Sequence, residues 1–132
     1  MAENKPKARP TAPHIGIYRW PVTMLTSITH RATGIALAAG TLLLACWLVA
    51  LALGPVAYEK VQAFHSGFIG RFLLLGFSWS LIYHMLNGVR HLFWDAGHGF
   101  EKETSDFTGK LVIAGSFILT LAIWLLAYQA KG

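Results

Sequence analysis

The chain has 132 residues, enough for one domain, and 55% of them are hydrophobic although eleven are basic. A soluble domain of this size spreads its charge, whereas here charge gathers between long apolar runs, which places the chain among membrane proteins. The formal net charge of +5 does not argue for nucleic acid, because the basic residues form no continuous patch and fall at the flanks of apolar segments. The single cysteine, Cys46, lies inside an apolar run and excludes an intrachain disulfide or a cysteine-rich metal centre.

In chain order, residues 1–20 read as a polar arm punctuated by Pro10 and Pro13 and ended by Pro21, with Tyr18 and Trp20 placed for the headgroup level. The arm lacks the apolar core of a cleavable signal and the Arg/Ser-rich amphipathic pattern of a transit peptide, so the expectation is a bacterial-type membrane subunit carrying its own start. Pro21 suits a first helical position. Thr33 to Leu53 is free of charge, and a span of about 20 such residues covers roughly 30 Å. Gly54-Pro55 reads as a stop, and Tyr58, Glu59 and Lys60 as a short loop. Phe64 to Trp94 returns across the membrane, with Arg71 near its entry. Residues 95–109 read as a polar loop, and Lys110 to Tyr128 as a third crossing. The expected architecture is all-α, a single unit with membrane helices at about 28–53, 64–94 and 110–128.

Lys5, Lys7, Arg9, Arg19, Arg31, Arg90, Lys102 and Lys110 fall on one side of this topology, and Lys60, Arg71 and Lys131 on the other. The positive-inside rule therefore puts the N-terminus and the 95–109 loop in the cytoplasm. Three helices are few for enclosing a cofactor, since bundle sites draw side chains from several facing helices, so a partner membrane subunit is expected.

Two constellations carry chemistry. The first, Ser27-Ile28-Thr29-His30-Arg31, sits at the mouth of the first helix. Ser27 and Arg31 share a face one turn apart. A hydroxyl beside a guanidinium can polarise a carbonyl oxygen that gains negative charge on reduction; His30 and Arg31 could equally hold carboxylates, and the bland reading is an interfacial anchor. The second runs from Tyr83 to Asp95. His84 lies about ten residues, roughly 15 Å, from the polar end, where an ionisable side chain normally faces protein, water or a cofactor. Gly88 and His91 follow on the same face. A histidine one turn from a glycine is a ligand beside a gap for a flat macrocycle such as haem. The alternatives are a packing histidine and a glycine that serves helix contact. Asp95 ends the helix. Paired intramembrane carboxylates, Ser/His/Asp patterns, Gly-rich phosphate loops and His-x-x-x-His zinc spacing are all missing from the sequence.

In this order the two constellations resemble the cytochrome b subunit of succinate dehydrogenase. The matching residues are Arg9-Pro10, Pro13-His14, Ile17-Tyr18-Arg19, Ser27-Ile28, His30-Arg31 and Thr33-Gly34, then His84, Gly88, Arg90-His91-Leu92 and Asp95. The resemblance implies the larger membrane anchor of a four-subunit complex in the bacterial cytoplasmic membrane. A flavoprotein holding FAD oxidises succinate, an iron–sulfur protein relays electrons, and two anchors bind haem b and reduce ubiquinone. It implies that His84 is one axial ligand to the haem iron, with the other histidine supplied by the second anchor. His30 and Arg31 would approach the haem propionates, with Gly88 and His91 beside the cofactor. Ser27 and Arg31 would line the quinone site, and no residue of this chain would act on succinate. A quinol-oxidising anchor of the fumarate-reductase type and a non-redox scaffold are the alternatives.

Overall fold

A computed structural model describes residues 18–131 of the chain. The motif residues Arg9-Pro10, Pro13-His14 and Ile17, and most of the arm, lie outside the described residues. Four helices follow one another: α1 (Val22–Leu53), α2 (Pro55–Ser66), α3 (Phe68–Asp95) and α4 (Lys102–Lys131). Of these, α1, α3 and α4 are long and apolar enough to cross a membrane, with mean hydropathies of 2.4, 1.3 and 2.3 in their most apolar windows.

Each long helix extends past the boundary expected from hydropathy. Pro21 caps the start of α1, and its carbonyl accepts from the amides of Met24 and Leu25, so the helix begins at Val22, before the charge-free segment. Lys102 opens α4 eight residues ahead of the apolar stretch, which turns Glu103, Ser105, Asp106 and Thr108 from loop into helix. Glu103 in its first turn suits the positive end of the helix dipole. The α3–α4 turn is correspondingly short and rests on Gly97 and Gly99 at φ 84° and 81°, a conformation that L side chains rarely adopt. Trp94 Nε1 donates to the Gly99 carbonyl at 3.0 Å and closes it.

The expected loop at Tyr58–Lys60 is instead the middle of α2, a helix of 12 residues. Gly54-Pro55 does stop α1, but a proline at the first position also starts a helix, because its missing amide is not required there. The second crossing consequently begins at Phe68 rather than Phe64. Gly67 is extended (φ −71°, ψ 170°) and separates the two helices. Gly70 lies against the Phe64 carbonyl, where a Cβ would collide, so α3 packs directly on the end of α2.

The interior is the reverse of a soluble core. Buried residues are mostly small or polar, including Thr26, Thr33, Ser80, Asn87, Ser116 and Thr120, while Ile35, Leu42, Phe72 and Leu126 are among many large apolar side chains that face outward. Apolar groups gain nothing by leaving lipid for a protein interior, so close packing and interhelical hydrogen bonds hold such a bundle. Gly40 admits the Phe77 ring between α1 and α3. Trp79 Nε1 donates to Ser116 Oγ at 3.1 Å and Trp124 Nε1 to Ser78 Oγ at 3.3 Å, tying α3 to α4. Tyr83 Oη donates to the Thr26 carbonyl at 3.1 Å and ties α3 to α1.

Candidate functional site

The residues singled out from the sequence converge where the start of α1 meets the end of α3. His30 and His84 stack face to face, with ring centroids 3.8 Å apart and planes 10° from parallel. His84 Nδ1 lies 3.1 Å from the His30 carbonyl oxygen and 3.2 Å from Thr33 Oγ1. The Thr33 hydroxyl itself donates to that carbonyl at 2.9 Å, so both neighbours of Nδ1 present lone pairs. Nδ1 therefore carries the imidazole proton, and Nε2 keeps its lone pair. A second-sphere hydrogen bond of this kind fixes the tautomer and ring orientation of metal-ligating histidines.

Two glycines shape the space around that imidazole. A Cβ on Gly34 would stand 3.2 Å from His84 Cε1, so Gly34 leaves the ring room to lie flat on α1. A Cβ on Gly88 would meet nothing within 4 Å. Packing among the described residues thus does not explain Gly88. His84 lies one turn before it on the same helix and its Nε2 has no hydrogen-bond partner among the described residues, a donor chemistry that fits a haem ligand. The Nδ1 of His30 is buried and has no hydrogen-bond partner among the described residues.

Ser27 and His91 come together with Thr23, Met24, Thr26, Arg90 and Trp94 around a cavity of about 300 Å³. His91 lies 5.5 Å from His30 by ring centroids and meets Trp94 edge-on at 4.9 Å, so the cavity adjoins the histidine stack. Arg31 does not line it; its side chain is exposed on α1. Asp95 is the exposed last residue of α3. A larger cavity of about 570 Å³ lies at the opposite end of the bundle, and its lining, from Trp47 and Arg71 to Trp124, contains none of the expected site residues.

Sequence reasoning gave no role to the centre of this end, Arg90, which it placed among the flanking charges and within the motif Arg90-His91-Leu92. Arg90 is 5% exposed. Nε donates to Thr108 Oγ1 at 3.1 Å; Nη1 donates to Thr26 Oγ1 at 3.2 Å and Asn87 Oδ1 at 3.4 Å. Nη2 donates to the Ser105 carbonyl at 2.9 Å and Ser105 Oγ at 3.0 Å. Its carbon lies 4.1 Å from the Trp94 ring centroid. One side chain of α3 thereby holds α1 and α4. The available signal was the i, i+4, i+7 spacing of Tyr83, Asn87 and Arg90, a polar stripe along an otherwise apolar helix.

Inverted burial, three long apolar helices and a histidine stack within their span define a multi-pass helical membrane subunit. Comparison with known proteins narrows this class. A family model described as succinate dehydrogenase/fumarate reductase transmembrane subunit matches residues 5–123. The succinate dehydrogenase cytochrome b556 subunit of Paracoccus denitrificans is 41% identical over 92% of this chain and 93% of its own. The cytochrome b556 subunit of Rickettsia felis is 39% identical over 88% and 90%. The mitochondrial cytochrome b560 subunit of Sus scrofa is 43% identical over 80% of this chain and 63% of its own. The chain belongs to the succinate dehydrogenase/fumarate reductase transmembrane subunit family.

Proposed function

We propose that this chain is a haem-binding, quinone-reducing membrane anchor of succinate dehydrogenase. The observation that carries the reading is His84: its Nδ1 is held by the His30 carbonyl and Thr33, and Gly88, one turn further along the same helix, has open space where a Cβ would stand. His84 would be one axial ligand of haem b, with the second histidine coming from a partner anchor subunit. His30, Arg31 and His91 would lie near the propionates. A haem held by two histidines has no open position, so the chemistry it supplies is electron transfer rather than substrate activation.

The quinone would occupy the cavity at Ser27, with the Ser27 hydroxyl donating to a carbonyl oxygen as that oxygen gains negative charge. Arg31 completes the site from the exposed face of α1, where a partner subunit closes over it. Reduction takes two electrons and two protons. The electrons arrive from succinate by way of flavin and iron–sulfur subunits docked at the cytoplasmic surface, and water at that surface supplies the protons. This places the N-terminus and the α3–α4 turn in the cytoplasm, as the positive-inside rule expects. The family description covers both succinate oxidation and fumarate reduction, and the named relatives support the succinate-oxidising direction.

Succinate:quinone reductase assays on the assembled complex test the site, with succinate oxidation by a soluble dye as the control. Ser27→Ala and Arg31→Leu are expected to lower quinone reduction by about tenfold or more, as loss of a donor to a developing oxyanion does. Dye reduction should stay within about twofold. Equal loss in both assays would point to failed assembly. Full quinone turnover in both variants would remove the site from this face of α1.

A further inference from the structure

Arg90 is bound by neutral groups. A guanidinium has five N–H donors, and all five are matched here by the hydroxyls of Thr26, Ser105 and Thr108, the Ser105 carbonyl and the Asn87 amide oxygen. No carboxylate among the described residues shares a hydrogen bond with it; Asp106 on α4 is the acidic side chain that acts on it through space. Hydrogen bonds to neutral acceptors hold a charge in place without cancelling it, and contact with the Trp94 face does the same. Buried charges are ordinarily paired, because an unpaired one is expensive to desolvate. Asn87 adds to that expense: it is fully buried and its Nδ2 has no partner among the described residues, while its oxygen stays on Nη1. A staple needing only strength would be served by an ion pair. This cluster instead preserves a net positive charge in the wall of the Ser27 cavity.

We propose that Arg90 is a fixed positive charge, with no carboxylate hydrogen-bonded to it among the described residues, that makes the Ser27 cavity selective for ligands bearing negative charge on a quinone-type oxygen. The proposal rests on the reading of that cavity as the quinone site. Arg90 acts through its field, because its donors are already engaged. Ser27 supplies the hydrogen bond, and Arg90 lowers the energy of the anionic oxygen that reduction creates, an effect that low dielectric strengthens. Arg31 differs in kind, since its exposed charge is screened by whatever solvent reaches it.

The test compares two ring-matched probes on the purified complex: anionic 2-hydroxy-1,4-naphthoquinone and neutral 2-methoxy-1,4-naphthoquinone, measured as inhibitors competing with ubiquinone. Thr108→Asp sets a carboxylate beside Nε, and Thr108→Asn has the same shape without the charge. Relative to Thr108→Asn, Thr108→Asp should weaken the anionic probe by at least about tenfold and the neutral probe by less than about twofold. A second pair covers failed assembly of the aspartate variant: Arg90→Lys should retain the preference for the anionic probe within about threefold, and Arg90→Gln should lose it. Equal behaviour of both probes across either pair would overturn the proposal while leaving the quinone site intact. If Ser27→Ala weakened neither probe, the quinone-site reading would fall and the proposal with it.

Discussion

Along one side of α3, Tyr83, Asn87 and Arg90 are buried against α1 and α4, and the guanidinium has every donor engaged. A short rotation around the same helix, His84 and Gly88 are half-buried: one ring nitrogen of His84 is tied to α1, and a Cβ on the glycine would look onto open space. On the first face every guanidinium donor is met within the chain, and Asn87 Nδ2 alone of that cluster has no partner among the described residues. The second is prepared by the chain for completion from outside. In a membrane, where large apolar side chains cannot mark an interior, this contrast in polar satisfaction separates residues that assemble the bundle from residues that serve a ligand.

Breaking the closed face should have the largest effect. Arg90→Met removes all five donors: the buried Asn87 amide oxygen is orphaned, and the hydroxyls of Thr26 and Ser105 lose the donor that reaches them. Each orphaned group costs about 1–3 kcal/mol, so assembled complex in membranes should fall severalfold and its Tm should drop clearly. Arg90→Lys should recover part of that loss. The open face should respond in the opposite manner. The Cβ of Gly88→Val has open space among the described residues, so the secondary structure and expression of the subunit should be unchanged, although a β-branched residue carries a small helix-propensity penalty. Haem per complex, measured by pyridine haemochrome, should nevertheless fall severalfold. Unchanged haem content in Gly88→Val would mean that the opening is not where the cofactor approaches. The mildest change is Thr33→Val, which removes one of two acceptors at His84 Nδ1 and leaves the His30 carbonyl. Losing such a bond is worth about 0.5–1.5 kcal/mol. A modest shift in haem midpoint potential with retained haem is the expected outcome of a redox titration.

Much of the open face was legible in the sequence. A histidine deep in an apolar segment, followed one turn later by glycine, has few explanations, and His84 and Gly88 stand out on that ground alone. The contact between His30 and His84 was not legible. It depends on how α1 and α3 cross, and Gly34 and Gly40 set that crossing by admitting the His84 and Phe77 rings. The closed face was hidden for a different reason. Hydropathy assigned residues 95–109 to a loop, so Ser105 and Thr108 were not available as acceptors on a helix, and Arg90 looked like one more cytoplasmic charge. Hydropathy detects the membrane and is blind to the helical turns that continue beyond it, where α4 begins. The same blindness turned the middle of α2 into a loop: twelve mixed residues after Gly54 carry no spanning signal, although proline at the first position starts a helix well.

The central claim is that His84 binds the haem iron through Nε2. Its most direct test is the low-spin haem signal by electron paramagnetic resonance, together with the reduced-minus-oxidised optical spectrum. Both would be recorded on membranes holding the complete complex, for wild type and His84→Ala. Dye-linked succinate oxidation would normalise the amount of complex. Ligation by His84 predicts a bis-histidine signal in the wild type that is lost or moved to a different ligand field in the variant. Identical signals in the two would contradict it and would return His84 to the role of a packing residue against His30.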